Sequence, residues 1–312
     1  MGKRIVKFKC GGYCVKGIIL AAGAGTRLYP ASLPISKILL PIYDKPMIYY
    51  PLSTLMLAGI KDILIITNED DYDNFRKTLG DGSQYGLNIE YEIQYVQKGI
   101  ADAFLIAEDF INEDNVALIL GDNIFHGFGF STLMKNAIKN NVGATVFGYR
   151  VHDPERFGVV EFDKNKKVVS LEEKPTHPKS KYAVTGLYFY DGKVCEYARE
   201  LVPSQRGELE ITDLNKIYLK NKQLNVEILG RGFTWLDTGT HDSMLQASNF
   251  IQAIEFNKGE KIACLEEIAL NQHFISVSDL EYKLSLNTKN NNYYNYISEI
   301  IQEYKLKQEV LV

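Results

Sequence analysis

From residue 15 onward, short runs of near-continuous Ile, Leu and Val alternate with longer stretches in which apolar residues recur every three or four positions. The first pattern covers residues 15–21, 62–67 and 116–120 and fits buried strands; residues 89–95 also read as a strand. The second covers 51–58, 72–79 and 101–109 and predicts helices between those strands. Strands separated by helices of this length argue for a Rossmann-like α/β fold, a mostly parallel sheet flanked by helices. After residue 140 the spacing shortens. Residues 144–150, 158–162, 167–171, 184–190 and 225–230 read as strands broken by turns such as Asp163-Lys164-Asn165, a smaller β-rich part. Beyond Trp235 the period becomes helical over 243–256 and 294–306, with a polar, Asn-rich stretch at 288–292. No repeat or flexible linker interrupts this order. The expectation is one domain over 15–312, with parts meeting near 140 and 242, preceded by an extension at 1–14.

In open α/β sheets, ligands bind beyond the carboxyl ends of the strands. Two polar loops fall there. The first strand runs into Gly23-Ala24-Gly25-Thr26-Arg27-Leu28, with Lys37 close behind. Glycines let backbone N–H groups approach phosphates, and cations neutralise charge that grows during transfer. The loop is not a dinucleotide fingerprint, because Leu28 stands where the third glycine belongs, and no G-x-x-x-x-G-K-[ST] sequence occurs. The second loop is Gly121-Asp122-Asn123. A carboxylate at the end of a buried strand requires a cation or a donor. Asp122 therefore reads either as a ligand for Mg²⁺ on nucleotide phosphates or as a turn residue capping a following helix. Asp237, two residues after the only Trp, reads as a second Mg²⁺ ligand or as a helix N-cap.

Glu172-Glu173-Lys174-Pro175 is either a solvated charge cluster or a pair in which Lys174 meets a phosphate monoester and Glu173 accepts from sugar hydroxyls. The charge-rich stretch from Arg206 to Asp213 reads as structural, with Thr212 or Asp213 capping a helix that reaches Tyr218. The five histidines show no ligand spacing, and no Ser or Cys sits in a nucleophile-elbow context. That disfavours a covalent hydrolase and favours direct transfer, in which positioning and charge neutralisation do most of the catalysis. Cys10 and Cys14 lack a second Cys/His pair, so all four cysteines read as free thiols. A net charge of −4 leaves no basic footprint for nucleic acid. No apolar run reaches membrane-spanning length and no segment resembles a secretory leader, so the expectation is a cytoplasmic protein without a membrane partner.

Taken together, several motifs resemble those of the sugar-1-phosphate nucleotidyltransferases. They are the Gly23–Pro30 loop with Ser36-Lys37, Asp44-Lys45-Pro46, Leu120-Gly121-Asp122-Asn123, Gly207-Glu208-Leu209-Glu210-Ile211-Thr212-Asp213 and Trp235-Leu236-Asp237-Thr238-Gly239-Thr240. The resemblance runs from about Val15 to the C-terminus and implies Mg²⁺-dependent transfer from dTTP to glucose 1-phosphate. The products would be dTDP-glucose, a precursor of dTDP-deoxysugars such as dTDP-rhamnose, and pyrophosphate. By the same resemblance, Arg27 and Lys37 bind the triphosphate, Asp122 and Asp237 hold Mg²⁺, and Lys174 holds the sugar phosphate. Asn123, Gly158, Glu173 and Val184 face the sugar. Leu20, Ala21, Ala22, Gly23, Gly25 and Thr26 line the nucleotide, with Gln94 and Gly99 on the base edge. A homotetramer under feedback inhibition is also implied. Two places depart from the family pattern: Ala22 replaces a glycine, and the base-side loop, usually Gln-Pro-Ser-Pro-Asp-Gly-Leu-Ala, reads Gln94-Tyr95-Val96-Gln97-Lys98-Gly99-Ile100-Ala101. The same chemistry with UTP or an aminosugar phosphate is the alternative. A catalytically inactive nucleotide-sugar sensor is a third reading, against which the presence of Arg27, Lys37, Asp122, Lys174 and Asp237 speaks.

Overall fold

The computed structural model describes residues 15–165, 167–286 and 291–310. The extension at 1–14, with Cys10 and Cys14, lies outside the described residues, as does most of the Asn-rich stretch. Strand β1 (Val15–Leu20) opens the fold. A small hairpin, β2 (Pro41–Ile42) and β3 (Lys45–Pro46), follows the first loop. β4 (Asp62–Thr67), β5 (Asn88–Ile93) and β6 (Asn115–Leu120) then alternate with helices at Tyr49–Leu57, Tyr72–Leu79, Asp102–Ile106 and Glu108–Ile111. The single helix expected over 101–109 is thus two, broken at Ala107 (φ −87, ψ 8).

β1 lies between β4 and β6, and β4 also pairs with β5, all in parallel register (Ile19 opposite both Ile65 and Ile119). Their buried Ile and Leu side chains pack on both faces of the sheet, in two core clusters. This is why β1, β4 and β6 read as nearly unbroken apolar runs, while β5 (NIEYEI), at the sheet edge, does not. Because the four strands run parallel, their following loops emerge on one rim.

The remaining strands are β7 (Asn123–Gly127), β8 (Ala144–Arg150), β9 (Gly158–Phe162), β10 (Val168–Glu173), β11 (Tyr182–Tyr190), β12 (Leu224–Leu229) and β13 (Phe233–Asp237). Of these, β8 to β12 extend the sheet from the other side of β6. β11 pairs antiparallel with β6, placing Leu187 opposite Ile119, and continues into both β8 and β9. β10 completes this edge, with Glu173 in register with Gly158. β7 and β13 leave the main sheet as an antiparallel ribbon in which Asp237 faces Asn123. Asp122 is therefore followed by a strand, so it caps no helix. Asp237 ends a strand, and the N-cap of the next helix, His241–Lys258, is Thr240, in a reciprocal capping box with Ser243.

The C-terminal helices pack through buried charges. Lys45, only 2% exposed, donates to Glu255 at 2.9 Å and pairs with Asp44, while Lys261 reaches Asp44 at 2.6 Å. Tyr293 and Lys283 both donate to Glu266, at 2.7 and 2.8 Å. Each buried charge is thus matched by a partner, the condition for keeping it inside. Among the described residues no helix is long and apolar enough to cross a membrane. Cys195 and Cys264 are free and buried, and burial pushes their thiols up to about 11 and about 12, far from reactive thiolates.

Candidate active site

A cavity of about 260 Å³ opens beyond the carboxyl end of β6. It gathers Arg27, Asp122, Asn123, Gly158, Glu173, Lys174, Val184 and Asp237, eight residues singled out in the sequence and carried by six separate segments.

The first loop forms its nucleotide-side wall. The Leu20 carbonyl accepts from Gly121 N–H at 2.9 Å, and Ala21 N–H donates to Ile66 at 2.7 Å, so the loop leaves the sheet in a fixed direction. Gly25 adopts φ +63, and a Cβ there would sit 3.2 Å from Ser32 and 3.3 Å from Lys37. Only glycine combines that backbone with so close an approach. The chain then turns through the short helix Thr26–Leu28, leaving Arg27 exposed at the mouth. Lys37 sits on a second short helix, Lys37–Leu39, whose N-cap Ser36 is fixed by Asp71 (Ser36 N–H to Oδ1, 2.8 Å).

Lys37 and Asp122, assigned separately to phosphate and metal, form an ion pair. Burial pushes the Asp122 carboxyl upward, but the charge and hydrogen bond of Lys37 more than offset it and hold the group below the ordinary carboxylate value. Asp237 moves the other way. Burial and the neighbouring Asp122 charge raise it, against the opposing pull of Lys37, Arg27 and Arg156. Two carboxylates converge with only part of their charge neutralised, an arrangement suited to a small divalent cation that completes its coordination with phosphate oxygens and water.

Asn123, which lines the cavity, also ties three neighbouring groups together. Its Oδ1 accepts from Trp235 Nε1 at 2.6 Å and from Gly186 N–H at 3.0 Å, and its Nδ2 donates to Asp122 Oδ1 at 2.9 Å. At 2% exposure it is a bracket that orients Asp122. Thr238 supports the same aspartate from behind, donating N–H and Oγ1 to its carbonyl at 3.0 and 2.8 Å.

On the opposite wall, Gly158, Glu173 and Val184 come from three adjacent strands. Glu173 accepts from Thr212 Oγ1 at 2.6 Å, so Thr212 orients the glutamate and caps no helix. The helix is Ile211–Lys220, with Glu210 at its N-cap position. A Cβ on Gly158 would lie 3.1 Å from Thr212 Oγ1 and 3.3 Å from Glu173 Oε2, which explains the glycine. Lys174 has φ +41, and its N–H donates to the Phe157 carbonyl at 3.0 Å. A lysine held in the left-handed region costs about 1 kcal/mol, and such strain concentrates at functional sites. The Lys174 Nζ stands 3.8 Å from Glu173.

Arg206 reaches Glu173 at 3.7 Å while gripping Glu210 with two contacts of 2.9 Å, so a stretch read as structural also bears on the site. Arg156 at the rim carried no sequence signal. Gly186 did carry one, since glycine within an apolar strand marks a close approach. Gln94, on the base-side loop, is buried, and its Nε2 donates to Asp102 at 2.9 Å. Gly99, at φ +102, lies against the Leu209 backbone.

A parallel sheet with a glycine loop, paired cations and converging carboxylates on one rim defines a nucleotide-transferring enzyme. Residues 16–254 match the family model described as Nucleotidyl transferase, and the chain belongs to that family. Among its relatives are glucose-1-phosphate thymidylyltransferases. That of Neisseria meningitidis is 55% identical over 93% of this chain and 100% of its own length. That of Mycobacterium tuberculosis is 49% identical over 92% and 99%. The crystal structure of a protein from Bacillus anthracis, described as a putative glucose-1-phosphate thymidylyltransferase in complex with sucrose, superposes with a TM-score of 0.70 at 44% identity, covering 76% of this chain and 94% of its own. A UDP-glucose pyrophosphorylase complexed with UDP-glucose gives 0.67 at 26% identity, covering 77% and 99%.

Proposed function

We propose that this chain transfers a thymidylyl group from dTTP to glucose 1-phosphate, giving dTDP-glucose and pyrophosphate. The observation that carries the proposal is the meeting of Arg27, Lys37, Asp122 and Asp237 on one wall of a cleft whose other wall holds Glu173 and Lys174. Relatives named for this reaction match over nearly the whole chain. The nucleotide would rest on the first loop, in the part before about residue 140. The sugar phosphate would rest on residues between about 141 and 242.

In this reading Lys174 binds the phosphate of glucose 1-phosphate and turns its oxygen toward the α-phosphorus. Glu173, oriented by Thr212, accepts from sugar hydroxyls. Lys37 leaves Asp122 for the triphosphate, and with Arg27 it neutralises the charge that builds on the departing pyrophosphate. Asp122, held by Asn123 and Thr238, and Asp237 would hold Mg²⁺. When bound, the ion would supply charge neutralisation at the phosphates.

A coupled pyrophosphate-release assay over a panel of nucleotides and sugar 1-phosphates tests the proposal. dTTP with glucose 1-phosphate is expected to give the highest kcat/KM, and turnover confined to UTP would reject it. Lys174→Ala is expected to raise KM for glucose 1-phosphate by roughly 10-fold or more, through loss of a charge-assisted contact, with a far smaller effect on KM for dTTP. Equal effects on both substrates would remove Lys174 from the sugar-phosphate site.

A further inference from the structure

The base-side loop is held to the rest of the site at two points. At its far end the attachment is made by backbone: Leu209 N–H donates to the Lys98 carbonyl at 2.6 Å, and Ala101 N–H to the Leu209 carbonyl at 3.2 Å. Gly99 permits this approach, since a Cβ there would lie 2.5 Å from the Leu209 oxygen. Nearer the nucleotide the attachment is made by a side chain. Gln97 Nε2 donates to the carbonyl oxygen of Ala22 at 2.9 Å, joining the loop after β5 to the glycine loop after β1. Tyr95 and Val96, just before it, are 75% and 60% exposed, so little packing restrains that stretch.

We propose that Gln97 is a positioning residue for the nucleoside, a tether that sets the width of the slot between the glycine loop and the base-side loop. This rests on the reading that the nucleotide lies along the glycine loop. The physical reason is preorganisation. Without the tether, residues 95–97 must be ordered as the nucleotide arrives, and that conformational entropy is subtracted from binding. With it, the slot stands ready. The donor is essential to the contact: a carboxylate at position 97 would set an oxygen against the Ala22 oxygen. A proline, the residue of the resembled family pattern at this position, would stiffen the loop through its backbone instead.

Steady-state kinetics with each substrate varied, supported by direct dTTP binding to the full chain, test this. For Gln97→Ala, loss of one hydrogen bond is expected to raise KM and Kd for dTTP roughly 3–10-fold, with kcat and KM for glucose 1-phosphate within twofold of the parent. Gln97→Glu should weaken dTTP further, and Gln97→Pro should bring it back toward the parent value. The side chain is exposed, so the thermal midpoint should not move. An unchanged dTTP affinity in Gln97→Ala overturns the tether. Arg27→Ala separates this from failure of the underlying reading: if it too leaves dTTP binding unchanged, the nucleotide does not lie on the glycine loop. If Arg27→Ala weakens dTTP while Gln97→Ala does not, only the tether is lost.

Discussion

Asp122→Asn and Asp237→Asn are each expected to lower kcat by about 10²–10³-fold while shifting the stability of the metal-free protein in opposite directions. The activity loss follows from removing half of the carboxylate pair that would hold Mg²⁺ against the phosphates. The stability difference follows from the opposed displacements of the two carboxyls. Asp122 is held below its ordinary value, with Lys37 outweighing burial, so its ionised form is favoured by folding. Its contribution is present at neutral pH and is lost as pH falls through the lowered value. Asp122→Asn removes it and leaves Lys37 against a neutral amide, so the protein should melt lower. Asp237 is raised by burial and by Asp122, so its ionised form opposes folding at neutral pH, and the penalty fades as pH falls through the raised value. Asp237→Asn should therefore melt about 1–3 °C higher in the presence of chelator while being almost inactive. Calorimetry with chelator and the pyrophosphate assay measure the two effects. Near-parental turnover in either variant would exclude that aspartate from the metal pair, and a lower melting point for Asp237→Asn would refute the electrostatic argument.

Gly186→Ala, a single added methyl directed at Asn123, is expected to cost about 10²-fold in kcat/KM. The new Cβ would fall 2.5 Å from Asn123 Oδ1, 2.7 Å from its Cγ and 2.8 Å from a Leu120 methyl. Asn123 cannot yield easily, because its amide is committed to Trp235, Gly186 and Asp122. Relief requires either a shift of β11 away from β6 or rotation of Asn123, and rotation releases Asp122. Overpacking of this kind costs about 1–3 kcal/mol of stability, and a displacement near 1 Å at a positioning contact costs about 10²-fold in rate. Lowered melting together with lost turnover is the expected signature. A folded Gly186→Ala variant with parental kinetics would show that Asn123 does not position Asp122 for the reaction.

Much of the nucleotide half was legible in the sequence because its elements are local. β1, β4 and β6 are buried on both faces, and their unbroken Ile and Leu runs announce it. Parallel pairing then sends their loops to one rim, which places the glycine loop beside Asp122. The helical period also located the long C-terminal helices, though His241–Lys258 and Asn292–Val310 begin earlier and end later than the apolar pattern suggested. β7 and β13 are a different matter. They pair across more than a hundred residues and show no strong alternation, so Asp122 and Asp237 remained open to a helix-capping role. Only the ribbon decided against it.

By itself the sequence determined the class of fold, the rim at which the polar loops emerge, and most of the charged residues gathered in the cleft, because these depend on local periodicity and on motifs within one loop. Tertiary structure alone decided how those residues divide the work. It paired Lys37 with Asp122, joined Asn123 to Asp122, Gly186 and Trp235, buried Gln94 against Asp102 and brought Gln97 to Ala22. Each of these outcomes depends on hydrogen bonds and charges brought together by strand order and register, long-range pairings that no local pattern of residues encodes.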